Sequence, residues 1–225
     1  MVVHGGGAVI SDWMKKQGLM PRFVRGLRVT DGPSLEIVVA VLTGLINKQL
    51  VATITALGGR AVGISGADGS ILQAKQADPE LGYVGEIVGV NPDPVWDLLD
   101  RDYIPVLAPV GITGATGHGD SCDLLNINGD TAAGFLAAAL NAERLVFLTD
   151  VEGVLDSSGR LMSRLSVREV QGLIASGTAA GGMIPKLEAC ITALERVPVA
   201  RIVDGRAPMA LLGALSEDGG GTWVT

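Results

Sequence analysis

With 225 residues the chain can bury a good core, as one large domain or as two lobes sharing a sheet. Apolar residues make up 48% of it, charged residues 18% and aromatics 4%, a balance that suits buried parallel strands flanked by helices and argues against disorder. The formal net charge of −7 argues against a nucleic-acid surface, while a small anionic substrate can still meet a locally basic site inside an acidic protein.

In chain order, Val2 and Val3 end a strand, HGGG turns the chain, and a helix runs over 8–17. GLRVTDG (26–32) is a polar turn. A long helix over 33–57 has Pro33 at its start and Leu35, Val38, Val39, Leu42, Leu45 and Ile46 at helical spacing. A buried strand over 61–65 ends in another glycine turn, and segments 71–73 and 84–90 flank a polar connection as a hairpin would. A short helix over 94–101 and a strand over 104–108 follow, then a glycine-rich loop over 109–123.

The second half repeats the alternation. A strand over 124–127 leads to an alanine-rich helix over 130–140, and a strand over 145–148 follows. Ser166 with Glu169 three residues on forms a capping-box pattern for a helix over 166–175. A helix over 183–195 carries Pro185 in its first turn. A strand over 199–203, a helix over 207–215 and a closing strand over 222–224 complete the chain. Strands alternating with helices predict a mainly parallel sheet with helices on both faces.

Ligands of such sheets bind beyond the carboxyl ends of the strands. Those ends are HGGG after VV, SGADG after AVGI, NINGD after LL, and TD after LVFL. Glycine, asparagine and aspartate therefore concentrate at one edge. His4-Gly5-Gly6-Gly7 lets backbone N–H groups approach an anion at a helix start, although a tight turn with close packing is the plainer alternative. Neither a G-x-x-x-x-G-K-[ST] loop nor a G-x-G-x-x-G fingerprint occurs.

Lys186 sits in the first turn of its helix, where a positive charge opposes the macrodipole, so a compensating anion such as a phosphate is expected nearby. The other reading is an exposed, solubilising lysine. Asp130 opens its helix, where an ordinary capping role competes with a catalytic one. Asn126 and Asn128 alternate along a strand tip and share a face, though capping also explains Asn128. Arg28 has the fork geometry for a carboxylate, with a surface ion pair as the plain reading. Asp150 follows a strand and can simply start a turn. His118 reads as a surface residue of the glycine-rich loop.

Two cysteines, Cys122 and Cys190, build no disulfide framework and fit a reducing, cytoplasmic compartment. With only His4 and His118 in the chain, a His-rich zinc site is not expected, and no residues show metal-ligand spacing. No basic-then-apolar leader opens the chain. Its longest apolar runs are broken by Gly, Asn or Asp, so no membrane span is expected.

VVHGGG, GLRVT, LGYVGEI, LLNINGDTAAG, LVFLTDVEGVLD, GGMIPKLEAC and DGGGT together, in this order, resemble the N-acetyl-L-glutamate kinases of the amino acid kinase superfamily. The resemblance implies an open three-layer αβα sandwich around a mainly parallel sheet. Residues 1–142 would form an N-terminal lobe for the acetylated amino acid, and residues 143–225 a C-terminal lobe for ATP. It implies phosphoryl transfer from MgATP to the side-chain carboxylate of N-acetyl-L-glutamate, giving N-acetylglutamyl 5-phosphate in arginine biosynthesis. ATP and Mg²⁺ are the implied cofactors, and a homodimer without nucleic-acid or membrane partners is the implied assembly.

Carried over residue by residue, Gly6 and Gly7 match glycines that contact the transferring phosphoryl group, and Arg28 matches the arginine that grips the substrate's α-carboxylate. Asn126 and Asn128 match substrate contacts. Asp130 matches a carboxylate that organises catalytic lysines, and Lys186 a lysine that offsets transition-state charge. Thr149, Asp150 and Gly153, with Gly182, Met183 and Lys186, match the nucleotide side. In the family a K-x-G-G strand and a helix precede VVHGGG, so the chain is expected to lack the usual first strand and helix. A truncated or catalytically impaired binding or regulatory module is one alternative function, and a kinase for a carrier-protein-linked amino acid is another. Arginine-inhibited members carry a glutamate about where Ala214 falls, so feedback inhibition by arginine is not expected.

Overall fold

The computed structural model describes residues 1–24, 26–114, 122–216 and 219–225, and the expectation for His118 lies outside them. The chain packs as two compact units, Met1–Ala132 and Ala133–Thr225.

In the first unit, three parallel strands lie in the order Val2–Val3, Ile104–Ala108, Ala61–Ser65. Their carboxyl ends fall at one edge, as right-handed crossovers through helices require. Two helices build the core on this sheet. Gly7–Lys16 buries Ile10 and Met14, which meet Ile37, Val38, Val41 and Leu42 of the long helix, with Ala108 and Val110 of the strands. Each such side chain, removed from water, stabilises the unit by roughly 1.5–3 kcal/mol.

The long helix runs over Gly32–Ala56. Asp31 starts it: its carboxylate accepts from the Ser34 amide at 3.0 Å, and Pro33 sits in the first turn, where a missing N–H costs nothing. Its centre, Ala40–Ile46, is wound as a π-helix, and Asn47 follows directly. By length and mean hydropathy, 25 residues and 1.8, this helix is long and apolar enough to cross a membrane, where no span was expected. In this unit the same helix turns Ile37, Val38, Val41, Leu42 and Asn47 inward.

A second sheet in this unit is largely antiparallel, in the order Gly85–Val90, Leu72–Gln76, Val110–Ile112, Leu124–Asn126. The hairpin read from the sequence is there, with a bulge between Gln73 and Ala74. Two segments read as turn or loop instead contain strands. Val110–Ile112 pairs with Leu124–Asn126, and Leu27–Arg28 pairs with Phe23–Val24. The first pairs across a loop and the second forms a tight hairpin, and strands of two or three residues show too little alternation to be read from sequence.

The second unit holds a four-stranded sheet in the order Leu145–Thr149, Ala200–Asp204, Thr222–Val224, Arg164–Leu165. Its first pair is parallel and its second antiparallel, so the sheet is mixed. Ala200 and Ile202 face a core shared with Leu187, Ala189, Cys190 and Ala193 of helix Met183–Leu194 and Val170 of helix Val167–Ala175. The capping box of Ser166 and Glu169 forms as expected. Helix Ala210–Leu215 is shorter than the predicted 207–215 because Met209 takes a left-handed conformation, φ 59°, just before it.

Candidate active site

The first strand ends in the glycine turn. Val2 lies opposite Val106, Val3 opposite Leu107, and the His4 amide extends the pairing to the Leu107 carbonyl at 3.2 Å. The chain then enters helix Gly7–Lys16, whose start has no side-chain cap. A Cβ on Gly6 would collide with Ile46 Cδ1 and lie 2.9 Å from Leu42 Cδ2, so this glycine is demanded by packing. A Cβ on Gly5 or Gly7 would meet nothing within 4 Å, and neither residue has positive φ. Packing and conformation thus account for the middle glycine alone. The outer two leave open backbone at a helix start, where free N–H groups and the dipole favour an anion.

A second helix starts beside it. A Cβ on Gly129 would sit 3.6 Å from the His4 carbonyl and 3.7 Å from Gly5 Cα, so the start of helix Gly129–Ala139 adjoins the glycine turn. Asn128 caps that helix, its Oδ1 accepting from the amides of Asp130 at 2.9 Å and Thr131 at 3.0 Å. Asp130 follows in the first turn, half-buried. Two positive helix ends therefore meet at Gly5 and Gly129.

Arg28 joins this group. Its Nη2 donates to the Gly7 carbonyl at 2.8 Å and to Ser11 Oγ at 2.9 Å, and its guanidinium stacks 4.8 Å from the Phe23 ring centre. The residue is buried, and its partners among the described residues are uncharged. Burial lowers its pKa.

Three sequence motifs interlock next to it. Thr30 Oγ1 donates to the Arg28 carbonyl at 2.9 Å and accepts from Asn126 Nδ2 at 3.1 Å. Thr30 bridges to Gly82, and Val84 to Asn126. Gly82 has φ 68°, and a Cβ there would strike the Thr30 carbonyl, so only glycine fits. GLRVT, LGYVGEI and LLNIN are thus one structure, with Arg28 and Asn126 positioned by Thr30.

His4 is buried beneath the turn. Asn47 Nδ2 lies 3.2 Å from His4 Nε2 and donates to the Val106 carbonyl at 2.8 Å. Lys48 Nζ donates to Asn47 Oδ1 at 3.0 Å.

In the second unit Thr149 ends its strand opposite Asp204, and its hydroxyl lies 2.8 Å from the Val151 carbonyl and 3.2 Å from that of Val203. Asp150 is exposed. A Cβ on Gly153 would meet Thr222 Oγ1 at 2.6 Å, so that glycine lets the 149–154 turn lie against the closing strand. Gly182 precedes helix Met183–Leu194, and Lys186 is half-buried in the first turn.

A pocket of about 460 Å³ lies beyond the strand ends, lined by Glu152, Val203, Asp204, Ala207, Gly213 and Gly221 among others. Asp204 and Arg206 clasp each other at its rim, with distances of 2.9 and 2.8 Å. The Arg206 side chain holds the Asp204 carboxyl down to about 2.

The structure gathers Gly6, Gly7, Arg28, Asn126, Asn128 and Asp130 in the first unit, and Thr149, Asp150, Gly153, Gly182, Met183 and Lys186 lie in the second. Of the latter set, none is a described lining residue of the pocket, although Glu152 falls between Asp150 and Gly153. Sequence reasoning missed Thr30, Asn47 and Arg201. Asn47 inside VLTGLINKQL and Arg201 inside VARIV are lone polar residues in apolar runs, and that isolation was the available signal.

This is an α/β chain whose helix starts and glycine turns crowd the carboxyl edge of parallel strands, and the amino acid kinase family profile matches residues 1–204. The chain belongs to the amino acid kinase family. Within it, an acetylglutamate kinase of Dehalococcoides mccartyi is 46% identical over 224 residues, covering 100% of this chain and 82% of the relative. One of Dinoroseobacter shibae is 48% identical over 226 residues, covering 100% and 77%. The crystal structure of smu.665 from Streptococcus mutans UA159 superposes with a TM-score of 0.86 at 28% identity, covering 100% of this chain and 85% of that one. N-acetylglutamate synthase from Neisseria gonorrhoeae, complexed with coenzyme A and N-acetyl-glutamate, superposes with a TM-score of 0.82 at 28% identity, covering 99% and 50%.

Proposed function

We propose that the chain transfers the γ-phosphoryl group of ATP to the side-chain carboxylate of N-acetyl-L-glutamate, a step of arginine biosynthesis. The observation that carries this reading is identity of 46–48%, over the whole of this chain, to proteins named acetylglutamate kinase. A carboxylate oxygen attacks the γ-phosphorus, the bond to the β-phosphate oxygen breaks, and N-acetylglutamyl 5-phosphate and ADP result. Such transfer is mostly positioning and charge stabilisation.

The residues take corresponding roles. Arg28, buried with uncharged neighbours, binds the α-carboxylate of the acylated amino acid. The open backbone at Gly7, next to the start of the 129–139 helix, receives the transferring phosphoryl group, with Gly6 setting the turn's depth. Asn126 contacts the substrate and Asn128 fixes the second helix start. Lys186 offsets charge on the nucleotide side, and Asp130 serves as the carboxylate at the start of the 129–139 helix.

Residues 1–142 serve the acylated amino acid and 143–225 the nucleotide. The second unit's pocket, with Thr149, Asp150 and Gly153 around the same strand end and Gly182 and Met183 at the helix start, supports that division. Mg²⁺ would arrive with the phosphates and supply neutralisation of their charge. Among the described residues no group of three or more His, Cys, Asp or Glu side chains gathers to compete for it. The reading extends to a homodimer in the cytoplasm.

Trapping the acyl phosphate tests the proposal. Purified chain, MgATP, N-acetyl-L-glutamate and hydroxylamine should yield a hydroxamate that depends on both substrates. A folded, ATP-binding chain that forms none would overturn it.

A further inference from the structure

Arg201 lies on the middle strand of the second unit's sheet, where Ala200 and Ile202 face the helical core and its own side chain takes the opposite face. It is fully buried, at 0% exposure. A guanidinium stripped of water is ordinarily paired with a carboxylate. Here its partners among the described residues are five main-chain carbonyls. Nη1 donates to Gly213 at 3.2 Å, Ala214 at 2.8 Å and Ser216 at 2.8 Å, and Nη2 to Gly219 and, at 2.7 Å, to Gly220. The Trp223 ring closes the cage 3.9 Å from the guanidinium carbon.

Two features make this cage more than a buried ion's local solution. Gly213, Ala214 and Ser216 end helix Ala210–Leu215, whose last carbonyls have no partners within the helix and carry the negative end of its dipole. Gly219 and Gly220 lie in the segment that leads into strand Thr222–Val224. A Cβ on Gly219 would strike the Gly213 carbonyl and sit 3.0 Å from Arg201 Nη2, so the two backbones touch around the guanidinium. Gly213, Ala214 and Gly220 also line the pocket described above.

We infer that Arg201 is a positioning residue for the nucleotide: it never touches the ligand but sets the wall of its pocket by clamping segments 213–216 and 219–220 together. The inference rests on the nucleotide reading of that pocket. The four Nη hydrogens of the planar fork reach five carbonyls, one hydrogen being shared, while Nε has no partner among the described residues; an ammonium offers three donors. Arg201→Lys should therefore keep the charge and lose part of the geometry.

Calorimetric titration of ADP, with KM for both substrates, separates the outcomes across wild type, Arg201→Met, Arg201→Lys and Ala207→Trp, which fills the pocket mouth. The expected result is about tenfold weaker ADP binding in Arg201→Met and a smaller loss in Arg201→Lys. KM for N-acetylglutamate should stay within about twofold in both, and ADP binding should be weakened by Ala207→Trp. If Ala207→Trp weakens ADP while both Arg201 variants bind it as wild type does, the positioning role is wrong and the pocket's assignment stands. If Ala207→Trp leaves ADP binding intact, the pocket's assignment fails and takes the inference with it. Should Arg201→Met not fold, Arg201→Lys decides: unchanged ADP affinity, or an equal rise in both KM values, overturns the role.

Discussion

Asn47 holds His4 under the glycine turn, with Nδ2 3.2 Å from the imidazole Nε2. The other ring nitrogen lies 3.1 Å from the Gly5 carbonyl, which only accepts, so Nδ1 carries the proton and Nε2 accepts from Asn47. Burial keeps the His4 pKa below its ordinary value, because the charged imidazolium would lose its hydration, and the contact with the Gly5 carbonyl offsets only part of this. The folded state then binds a second proton less readily than the unfolded chain. Its contribution is complete above about pH 6.5 and is lost as pH falls toward the depressed folded pKa. Urea midpoints measured from about pH 8 down to about pH 5 should decline through that window. His4→Gln should flatten the decline; an unchanged slope would sink the assignment.

The glycine turn predicts opposite signs for neighbouring substitutions. Gly6→Ala pushes a methyl group into Ile46 and Leu42 and should cost about 1–3 kcal/mol in chemical denaturation. Gly7→Ala meets open space in a helix's first turn, so the fold should be unharmed or stabilised by up to about 1 kcal/mol. Its phosphoryl transfer should nevertheless fall, because the added methyl covers the proposed anion site. Normal turnover in Gly7→Ala would remove Gly7 from the site.

Arg28 should separate the two substrates. Arg28→Met removes the only contact proposed for the α-carboxylate, and KM for N-acetylglutamate should rise about a hundredfold while ADP affinity is retained. Arg28→Lys should recover little, since the fork that meets Gly7 and Ser11 is lost. Equal effects on both substrates would indicate a structural role only.

Asn128 can be divided between capping and binding. Asn128→Ala should lose about 0.5–2 kcal/mol with its two amide contacts. Asn128→Asp keeps a good cap, so its stability should match wild type. If the amide also meets an anionic substrate, the new charge should raise KM for N-acetylglutamate. An unaltered KM would leave capping as its whole role.

Lys186 carries the strongest kinetic expectation. Lys186→Met should lower kcat by about 10²–10³ with ADP binding changed only modestly, as for a group that acts on developing charge. Turnover near that of wild type in single-turnover assays would exclude it from catalysis.

Much of the architecture was legible because its causes are local. The strand over 104–108 and the closing strand over 222–224 match the observed elements, and the Ser166–Glu169 capping box formed as written. The long helix was readable from its apolar spacing and Pro33, with ends one residue from those seen. Val110–Ile112 escaped because its partner, Leu124–Asn126, lies across a glycine-rich loop, and Leu27–Arg28 because a hairpin of two-residue strands leaves too short a pattern to read. Asn128 shows the mixture: the sequence left a strand-tip contact and a cap both open, and in the structure its side chain caps the helix it starts.

The sequence by itself determined the alternation of strands and helices, the glycine and asparagine content of the strand tips, and the ordered motifs that mark an amino acid kinase. Periodicity, turn chemistry and capping act over a few residues, so they survive in a linear reading. Only the tertiary structure decided which polar groups satisfy one another. Arg28 with Gly7, Asn126 with Thr30, His4 with Asn47, and Arg201 with five distant carbonyls are all pairings across the fold. A buried polar group must find its partner wherever packing brings one, and chain order carries no record of that choice.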